Sequence, residues 1–366
     1  MDFRHVGKFV PFSAPPLAEY EGSVSLLQHL IGRSPQYTGR GRWALGELVA
    51  ALGCKKVLLP SYICSTVCAG LRWVGASWDV YDLDQRDLNA DPSSIEERLK
   101  NGKYDAVLVA SMYGNPADLK SIESVCAKYG ASLIDDAAQC FGSKLEGRFV
   151  GTFGDAGFVA FSPGKPVTAH MGAFYWTTDP KSMQQVSIKR RRWLLHKVIF
   201  ASYRHSRAQE YLDLRMPFSK FIEKIARYCE RLAPSHVDAF LPFEDRLIEQ
   251  ALLSNFAAIA VRRKRVEEFI RQVSSDDFRV IVPLRGESNP HKLILVFPST
   301  ELRLGFEADM RSMDVFCQKG YECLKGDSAT PIAEDISSRI LELPVDEDER
   351  RFEYLIEATK NVRRLR

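Results

Sequence analysis

The chain has 366 residues, of which 45% are hydrophobic and 27% are charged, and its formal net charge is +3. These values are typical of a globular protein of about two domains, and they exclude a globally basic nucleic-acid binder. No apolar run reaches the roughly 18 residues that cross a bilayer. The first residues lack a secretory leader, and none of the eight cysteines forms a Cys-x-x-Cys pair. We therefore expect a cytoplasmic chain with reduced thiols and no metal site.

Short apolar strands alternate with helices after Gly39. Strands are predicted at 56–59, 77–81, 106–109 and 132–134. Helices are predicted at 43–52, at 66–74, after the Asp91-Pro92 start signal, and at 117–129 before Gly130. This alternation predicts a parallel, doubly wound α/β sheet. Because ligands of such sheets bind beyond the carboxyl ends of the strands, we expect the site at 60–65, 111–115 and 135–139.

The second half of the chain predicts a smaller α/β domain. A long helix is predicted at 247–271, followed by strands at 279–282 and 293–297 and helices at 333–341 and 347–362. We divide the chain into a large domain, 1–246, with a helical insertion at about 187–235, and a small domain, 247–366. Residues 189–231 hold twelve Lys/Arg against four Asp/Glu. The basic segment, 187–231, is either the solvated face of an added helical layer or a weak peripheral contact with anionic lipid.

Three local patterns could together serve one cofactor. Gly41-Arg42 opens a helix, Asp136-Ala-Ala-Gln139 closes a strand, and Lys165 follows Ser162-Pro-Gly. Taken singly, each pattern is ordinary for a turn or a cap. Pyridoxal 5'-phosphate (PLP) needs a lysine amine, a carboxylate beside its pyridine nitrogen and a cradle for its phosphate. A helix N-terminus and a guanidinium both suit phosphate. The ordered set therefore predicts a PLP site.

These residues fall within a longer series of motifs. The series comprises Leu133-Ile-Asp-Asp-Ala-Ala-Gln139, Gly154-Asp155-Ala-Gly157 and Phe161-Ser162-Pro-Gly-Lys165, with weaker support from Leu59–Tyr62, Tyr113–Asp118 and Arg339–Pro344. In this order the motifs resemble the DegT/DnrJ/EryC1/StrS family of PLP-dependent sugar aminotransferases. The resemblance implies the fold-type I aminotransferase architecture, which has a large doubly wound domain with a mixed, mainly parallel sheet and a smaller C-terminal α/β domain.

The resemblance also implies roles for individual residues. Lys165 would form the Schiff base with the cofactor and move the proton between substrate and cofactor. Asp136 would pair with the pyridine nitrogen, and Gln139 would lie near the ring and its 3-hydroxyl. The phosphate would be bound by Ser162 and by the loop of Gly41, Arg42 and Trp43.

The chain departs from the family pattern at several positions. It has Gly41-Arg42 where the family usually has Gly-Thr, and Ala160 where the family has a phosphate-binding serine, with Ser162 as a substitute. Cys64 stands near the position of the aromatic residue that stacks on the ring, and Tyr62 is an alternative. Residues 169–172 replace a glycine-rich stretch. These changes indicate a divergent branch.

The expected activity is transfer of an amino group from an amino acid, glutamate or glutamine, to a nucleotide-linked keto-sugar in sugar or polysaccharide biosynthesis. The resemblance implies a homodimer whose two active sites are shared between subunits, with residues near Phe243 or the basic segment contributing from the partner. No nucleic-acid partner is expected. The alternatives are a PLP enzyme of another reaction type, such as a lyase or an amino-acid transaminase, and a non-catalytic PLP-fold partner of an assembly system.

Overall fold

The computed structural model describes residues 22–162, 164–169, 172–179, 181, 240, 242–273 and 276–364. The basic segment at 187–231, with both interpretations of it, lies outside these residues. Pro163, His170 and Met171 near the predicted site also lie outside them. None of the described helices is long and apolar enough to cross a bilayer.

The described helices and strands are numbered here in chain order. The helices are α1 (Ser23–Ile31), α2 (Gly41–Ala51), α3 (Val67–Trp73), α4 (Pro92–Asn101), α5 (Leu119–Tyr129), α6 (Pro242–Gln272), α7 (Thr300–Ser312), α8 (Pro331–Ile336) and α9 (Glu349–Arg364). The strands are β1 (Gln36–Thr38), β2 (Lys56–Pro60), β3 (Ser77–Tyr81), β4 (Ala106–Ala110), β5 (Ser132–Asp136), β6 (Lys144–Leu145), β7 (Arg148–Phe149), β8 (Ala156–Ala160), β9 (Ala173–Thr177), β10 (Arg279–Val280), β11 (Lys292–Val296), β12 (Gln318–Lys319) and β13 (Ile340–Pro344).

A seven-stranded sheet forms the larger part of the molecule, in the order β1-β9-β8-β5-β4-β2-β3. The five strands from β8 to β3 are parallel, and β9 and β1 add an antiparallel edge. Alternate side chains of β4 enter different apolar clusters, Leu108 on one face of the sheet and Val107 and Val109 on the other. Both faces are therefore covered, as parallel sheets require, and the predicted mixed, mainly parallel fold is confirmed.

A second, antiparallel sheet has the order β10-β11-β13-β12. One of its faces packs against α7 and α9 through a separate apolar cluster that includes Leu293, Phe306 and Phe352. The long helix α6 runs across the predicted boundary at 246/247, and the division into two domains stays a prediction. We refer below to residues 279–364 as the C-terminal unit.

The predicted helix at 333–341 is wrong in its second half. Helix α8 ends at Ile336, a 3-10 turn follows over Ser337–Arg339, and Ile340 begins strand β13. Each residue of β13 pairs with a residue of β11 from more than forty positions earlier, Ile340 with Val296 and Pro344 with Lys292. This long-range ladder overrides the local apolar spacing that favoured a helix.

The C-terminal unit docks on the large sheet through residues 320–333. The Asp82 carboxylate, just beyond β3, accepts from the Ile332 and Ala333 backbone N–H groups at 2.9 Å each and so caps α8 across the contact. Asp79 accepts from the Ser328 hydroxyl at 2.8 Å. The Leu324 N–H donates to the Ser61 carbonyl at 2.6 Å. These bonds fix the unit against the carboxyl edge of the sheet.

Candidate active site

A cleft lies at the carboxyl ends of four adjacent strands, β8, β5, β4 and β2, and encloses about 130 Å³. Its walls include Gly41, Arg42, Cys64, Met112, Asp136, Gln139, Ser162, Lys165 and Tyr321. This is where ligands of parallel sheets bind. The three predicted stretches at 60–65, 111–115 and 135–139 all contribute residues to it.

The structure brings most of the predicted residues together. Asp136 is the last residue of β5, Ser162 and Lys165 follow the end of β8, and Gly41-Arg42 begins α2. Gln139, in the turn after Asp136, also lines the cleft. Trp43 does not: its ring packs edge-on against Trp73, with centroids 5.6 Å apart.

Asp136 is buried and Lys165 is half-buried, and the charge of each group affects the pKa of the other. Burial lowers the pKa of Lys165, the nearby charge of Asp136 raises it, and the charge of Lys292 lowers it further. Burial raises the pKa of Asp136 to about 6, against the opposing effects of Lys165 and of the Ala138 N–H, which donates to its Oδ1 at 2.8 Å. The net effect is a lysine that loses its proton more readily than it would in water, beside a carboxylate that remains mostly ionised at neutral pH.

The neighbouring acid, Asp135, has a different role. Because side chains alternate along a strand, it points to the opposite face of the sheet from Asp136. Its Oδ2 accepts from the Gly151 N–H at 2.6 Å and the Phe153 N–H at 3.1 Å. Burial raises its pKa to about 7. Asp135 therefore holds the turn before β8 and does not line the cleft.

The start of α2 approaches strand β8 very closely. A Cβ added at Gly41 would lie 2.9 Å from the Ala160 Cβ, so both positions need small residues. The Trp43 and Ala44 N–H groups donate to the Arg40 carbonyl, whereas the N–H groups at the very start of a helix have no partner within it. Arg42 and this helix end together provide the positive charge and donors that a phosphate needs. Ala160 thus fits the small space beside Gly41, and it supplies no hydroxyl for a phosphate.

The Gln139 amide presents an unpaired group at the cleft. Its Nε2 donates to the Tyr321 hydroxyl at 2.8 Å, but its Oε1 is buried without a hydrogen-bond partner among the described residues. Either a bound molecule with a hydroxyl or a half-turn of the amide that exchanges Oε1 and Nε2 would give Oε1 a partner. The amine, the carboxylate, this amide and the helix end are the donor set that PLP requires, so the residues present fit this cofactor.

The sequence analysis missed the contribution of the C-terminal unit. Tyr321 lines the cleft, and behind it the Tyr62 and Tyr113 hydroxyls lie 2.7 Å apart. Tyr113 donates to Glu342 at 2.8 Å, and Lys292 donates to the other oxygen of Glu342 at 2.5 Å. This buried network joins the loops after β2 and β4 to strands β11 and β13, and no local pattern signals it. The Tyr62 hydroxyl is hydrogen-bonded within this network. Of the two candidates for the ring-stacking position, only Cys64 lines the cleft.

Residues 41–203, which contain every predicted site residue, match the DegT/DnrJ/EryC1/StrS aminotransferase family. The match confirms, for this segment, the family resemblance that the motifs predict. The matched segment supplies α2 and strands β2 to β9. It therefore includes the carboxyl edge at which the cleft lies.

Similarity to individual proteins agrees with the family match. The chain is 29% identical over 175 residues to GDP-perosamine synthase of Escherichia coli O157:H7, which covers 45% of this chain and 47% of that relative. The matched region thus spans about half of the relative. A DegT DnrJ EryC1 StrS aminotransferase from Brucella abortus superposes with a TM-score of 0.70 at 18% identity, covering 92% of this chain and 88% of that one.

A third protein carries the predicted cofactor. The E. coli GDP-4-keto-6-deoxy-D-mannose-3-dehydratase with bound hydrated PLP superposes with a TM-score of 0.71 at 16% identity, covering 91% of this chain and 90% of that one. The fold class is confirmed by these superpositions. The match to an aminotransferase family, together with the residues of this cleft, supports the predicted cofactor.

Proposed function

We propose that the protein is a PLP-dependent aminotransferase that moves an amino group from an amino acid, glutamate or glutamine, to a nucleotide-linked keto-sugar. The observation that carries the proposal is the half-buried Lys165 in the same cleft as the buried Asp136, at the carboxyl edge of the sheet. A non-catalytic protein has no need to hold an amine and a carboxylate together in an apolar cleft, where burial of both is unfavourable.

PLP, when bound, supplies a carbonyl that condenses with amines and a ring that withdraws electrons from the bonds of the amine-bearing carbon. Lys165 would hold the cofactor through its Nζ and carry a proton to and from the carbon that gains or loses nitrogen. Its lowered pKa favours the neutral amine that this role requires. Asp136 would keep a proton on the pyridine nitrogen. Arg42, Gly41 and Ser162 would bind the phosphate.

The choice of substrate rests on the relatives. GDP-perosamine synthase carries a nucleotide sugar in its name, as does the structural neighbour with bound PLP. Both names combine a guanosine diphosphate with a hexose. A nucleotide-linked keto-sugar is thus the acceptor that we propose for this chain. An amino acid is the nitrogen donor that an aminotransferase of this kind uses in its first half-reaction, so the kinetics should be ping-pong.

We also propose a cytoplasmic homodimer with shared active sites. All seven cysteines in the described residues are free thiols, as in reducing compartments. A second subunit over the cleft would exclude water from the reacting groups. Sedimentation at micromolar concentration should give a dimer, and a fully active monomer would contradict this part of the proposal.

The central test is an absorbance spectrum of the purified protein with PLP. We expect a band at about 410–430 nm that bleaches when L-glutamate or L-glutamine is added. Borohydride should reduce the adduct and leave the label on Lys165. The Lys165→Ala variant should show neither the band nor the label, whereas Lys181→Ala, a change at an exposed lysine, should keep both. A label on another lysine would contradict the site assignment, and a band that no amino acid bleaches would contradict the reaction.

A further inference from the structure

The Gln139 side chain meets a residue from the distant C-terminal unit. Its Nε2 donates to the Tyr321 hydroxyl at 2.8 Å, across 182 positions of sequence. Tyr321 is itself held on the opposite side. Its backbone N–H donates to the Tyr62 hydroxyl at 3.1 Å, and the two rings meet edge to face with centroids 5.8 Å apart. The Tyr321 hydroxyl therefore has a fixed position in the wall of the cleft.

Two hydrogen-bonding groups of this pair are unused. Gln139 Oε1 is buried without a partner, and among the described residues no atom accepts the proton of the Tyr321 hydroxyl. A hydroxyl can donate as well as accept, and an unpaired buried acceptor is unfavourable. A half-turn of the amide would let Tyr321 donate to Oε1. The Nε2 group would then occupy the buried position where Oε1 now lies without a partner, and it could donate a hydrogen bond from there.

We propose that Tyr321 is a positioning residue, which holds the Gln139 amide in this turned orientation so that Nε2 donates to the ring 3-oxygen of PLP. The inference rests on the proposed function and names a residue outside the segment that matches the family. In the turned orientation the Tyr321 hydroxyl would donate to Gln139 Oε1. Nε2 would donate to the cofactor once it is bound, so that all three groups would have partners. Burial, followed by the charge of Glu342, raises the pKa of Tyr321 well above its ordinary value, so the hydroxyl keeps its proton.

The test compares two cofactors on the apoprotein. PLP carries the 3-oxygen, and 3-deoxypyridoxal 5'-phosphate lacks it. Dissociation constants would be measured by absorbance titration for the wild type, Tyr321→Phe, Gln139→Met and the double variant. The control is Tyr354→Phe. It removes a hydroxyl of the C-terminal unit that does not line the cleft and that donates to the Met313 carbonyl at 2.8 Å. Both Phe variants keep the ring, so packing is preserved.

We expect Tyr321→Phe to weaken PLP binding roughly three- to tenfold and to leave binding of the 3-deoxy analogue unchanged. Gln139→Met should weaken PLP binding at least as much, and the second change should add nothing to it. The control should match the wild type with both cofactors. Equal weakening with the two cofactors, no weakening, or an effect that persists in the Gln139→Met background would overturn the role of Tyr321. If the wild type binds PLP but one of these results is found, only the role of Tyr321 is overturned and the proposed function stands. If the wild type binds neither cofactor, the role of Tyr321 and the proposed function are both overturned.

Discussion

The Arg42 carbonyl lies directly against the backbone of Gly70. A Cβ added at Gly70 would lie 2.0 Å from the Arg42 oxygen, far inside van der Waals contact. Helix α3 therefore presses on the first turn of α2, at the point where the cleft receives its positive charge. The position of Arg42 depends on a residue that never touches the cleft.

Gly70→Ala should displace the start of α2. On helix propensity alone, alanine would stabilise α3 by about 1 kcal/mol, so any loss of stability isolates the clash with the Arg42 carbonyl. We expect a lower urea midpoint and weaker PLP binding. Ala69→Gly, at the neighbouring position, is the control: it should cost stability through propensity and leave cofactor affinity unchanged. A Gly70→Ala protein that is more stable than the wild type, with normal PLP affinity, would show that the helices move apart freely.

Arg42→Ala should weaken cofactor binding without unfolding the protein. A charge-assisted contact in a partly buried site contributes about 1.5–3 kcal/mol, so the dissociation constant for PLP should rise roughly ten- to a hundredfold. Arg72→Ala is the matched control. The Arg72 guanidinium stacks over Trp78, 5.0 Å from the ring centroid, and does not line the cleft. If Arg42→Ala binds PLP normally but has a raised KM for the acceptor, the guanidinium faces the substrate.

Asp136→Asn should separate binding from turnover. The amide keeps the shape of the side chain but cannot hold a proton on the pyridine nitrogen, so the variant should retain bound cofactor. Its single-turnover rate with L-glutamate should fall roughly 10²- to 10³-fold, the scale of losing a preorganised electrostatic contact. Asp276→Asn, at an exposed position, should behave as the wild type. Near-normal turnover in Asp136→Asn would remove the carboxylate from the mechanism.

Asp135 should make the stability of the protein depend on pH. Its pKa in the folded chain is about 7, against 3.8 as the ordinary value, because burial disfavours the charge. The folded state therefore binds this proton more tightly than the unfolded state, and the contribution of Asp135 to stability falls as pH rises from about 4 to about 7. Between pH 5 and pH 7 we expect Asp135→Asn to gain about 1–3 kcal/mol on the wild type.

Urea titrations of the wild type and Asp135→Asn at several pH values would measure this difference. The amide of the variant keeps one oxygen that can accept from the Gly151 and Phe153 N–H groups, so the turn should survive. A stability difference that does not change with pH would contradict the raised pKa.

The large sheet and the core of the cleft were predictable because their signals are local. Asp136, Gln139 and Lys165 stand in short motifs next to strand ends, and the strand-end rule places them at one edge. Strand β8 was not predicted, since three of the five residues in Ala-Gly-Phe-Val-Ala are Ala or Gly, which are depleted in strands. Its place is set by pairing with β5 and β9 and by Gly157, where a Cβ would lie 1.9 Å from the Gly151 carbonyl.

The C-terminal contribution was not predictable for a different reason. Tyr321 is distant in sequence from Gln139 and reaches it only because Asp79 and Asp82 fix the chain that follows it. No spacing of residues encodes such a meeting. Strand β12, with only two residues, is likewise defined by its partner β13.

The docking of residues 320–333 has a consequence for synthesis on the ribosome. Domains tend to fold as they emerge, beginning with the N-terminal part. The lysine, the carboxylate and the phosphate loop are all translated before residue 204, but Tyr321 and the backbone groups that bind Asp79 and Asp82 come more than a hundred residues later. A nascent chain would therefore expose the open edge of the large sheet for roughly 7–30 s at about 5–20 residues per second. Stable capture of the cofactor is expected only after residues 320–333 have emerged and docked.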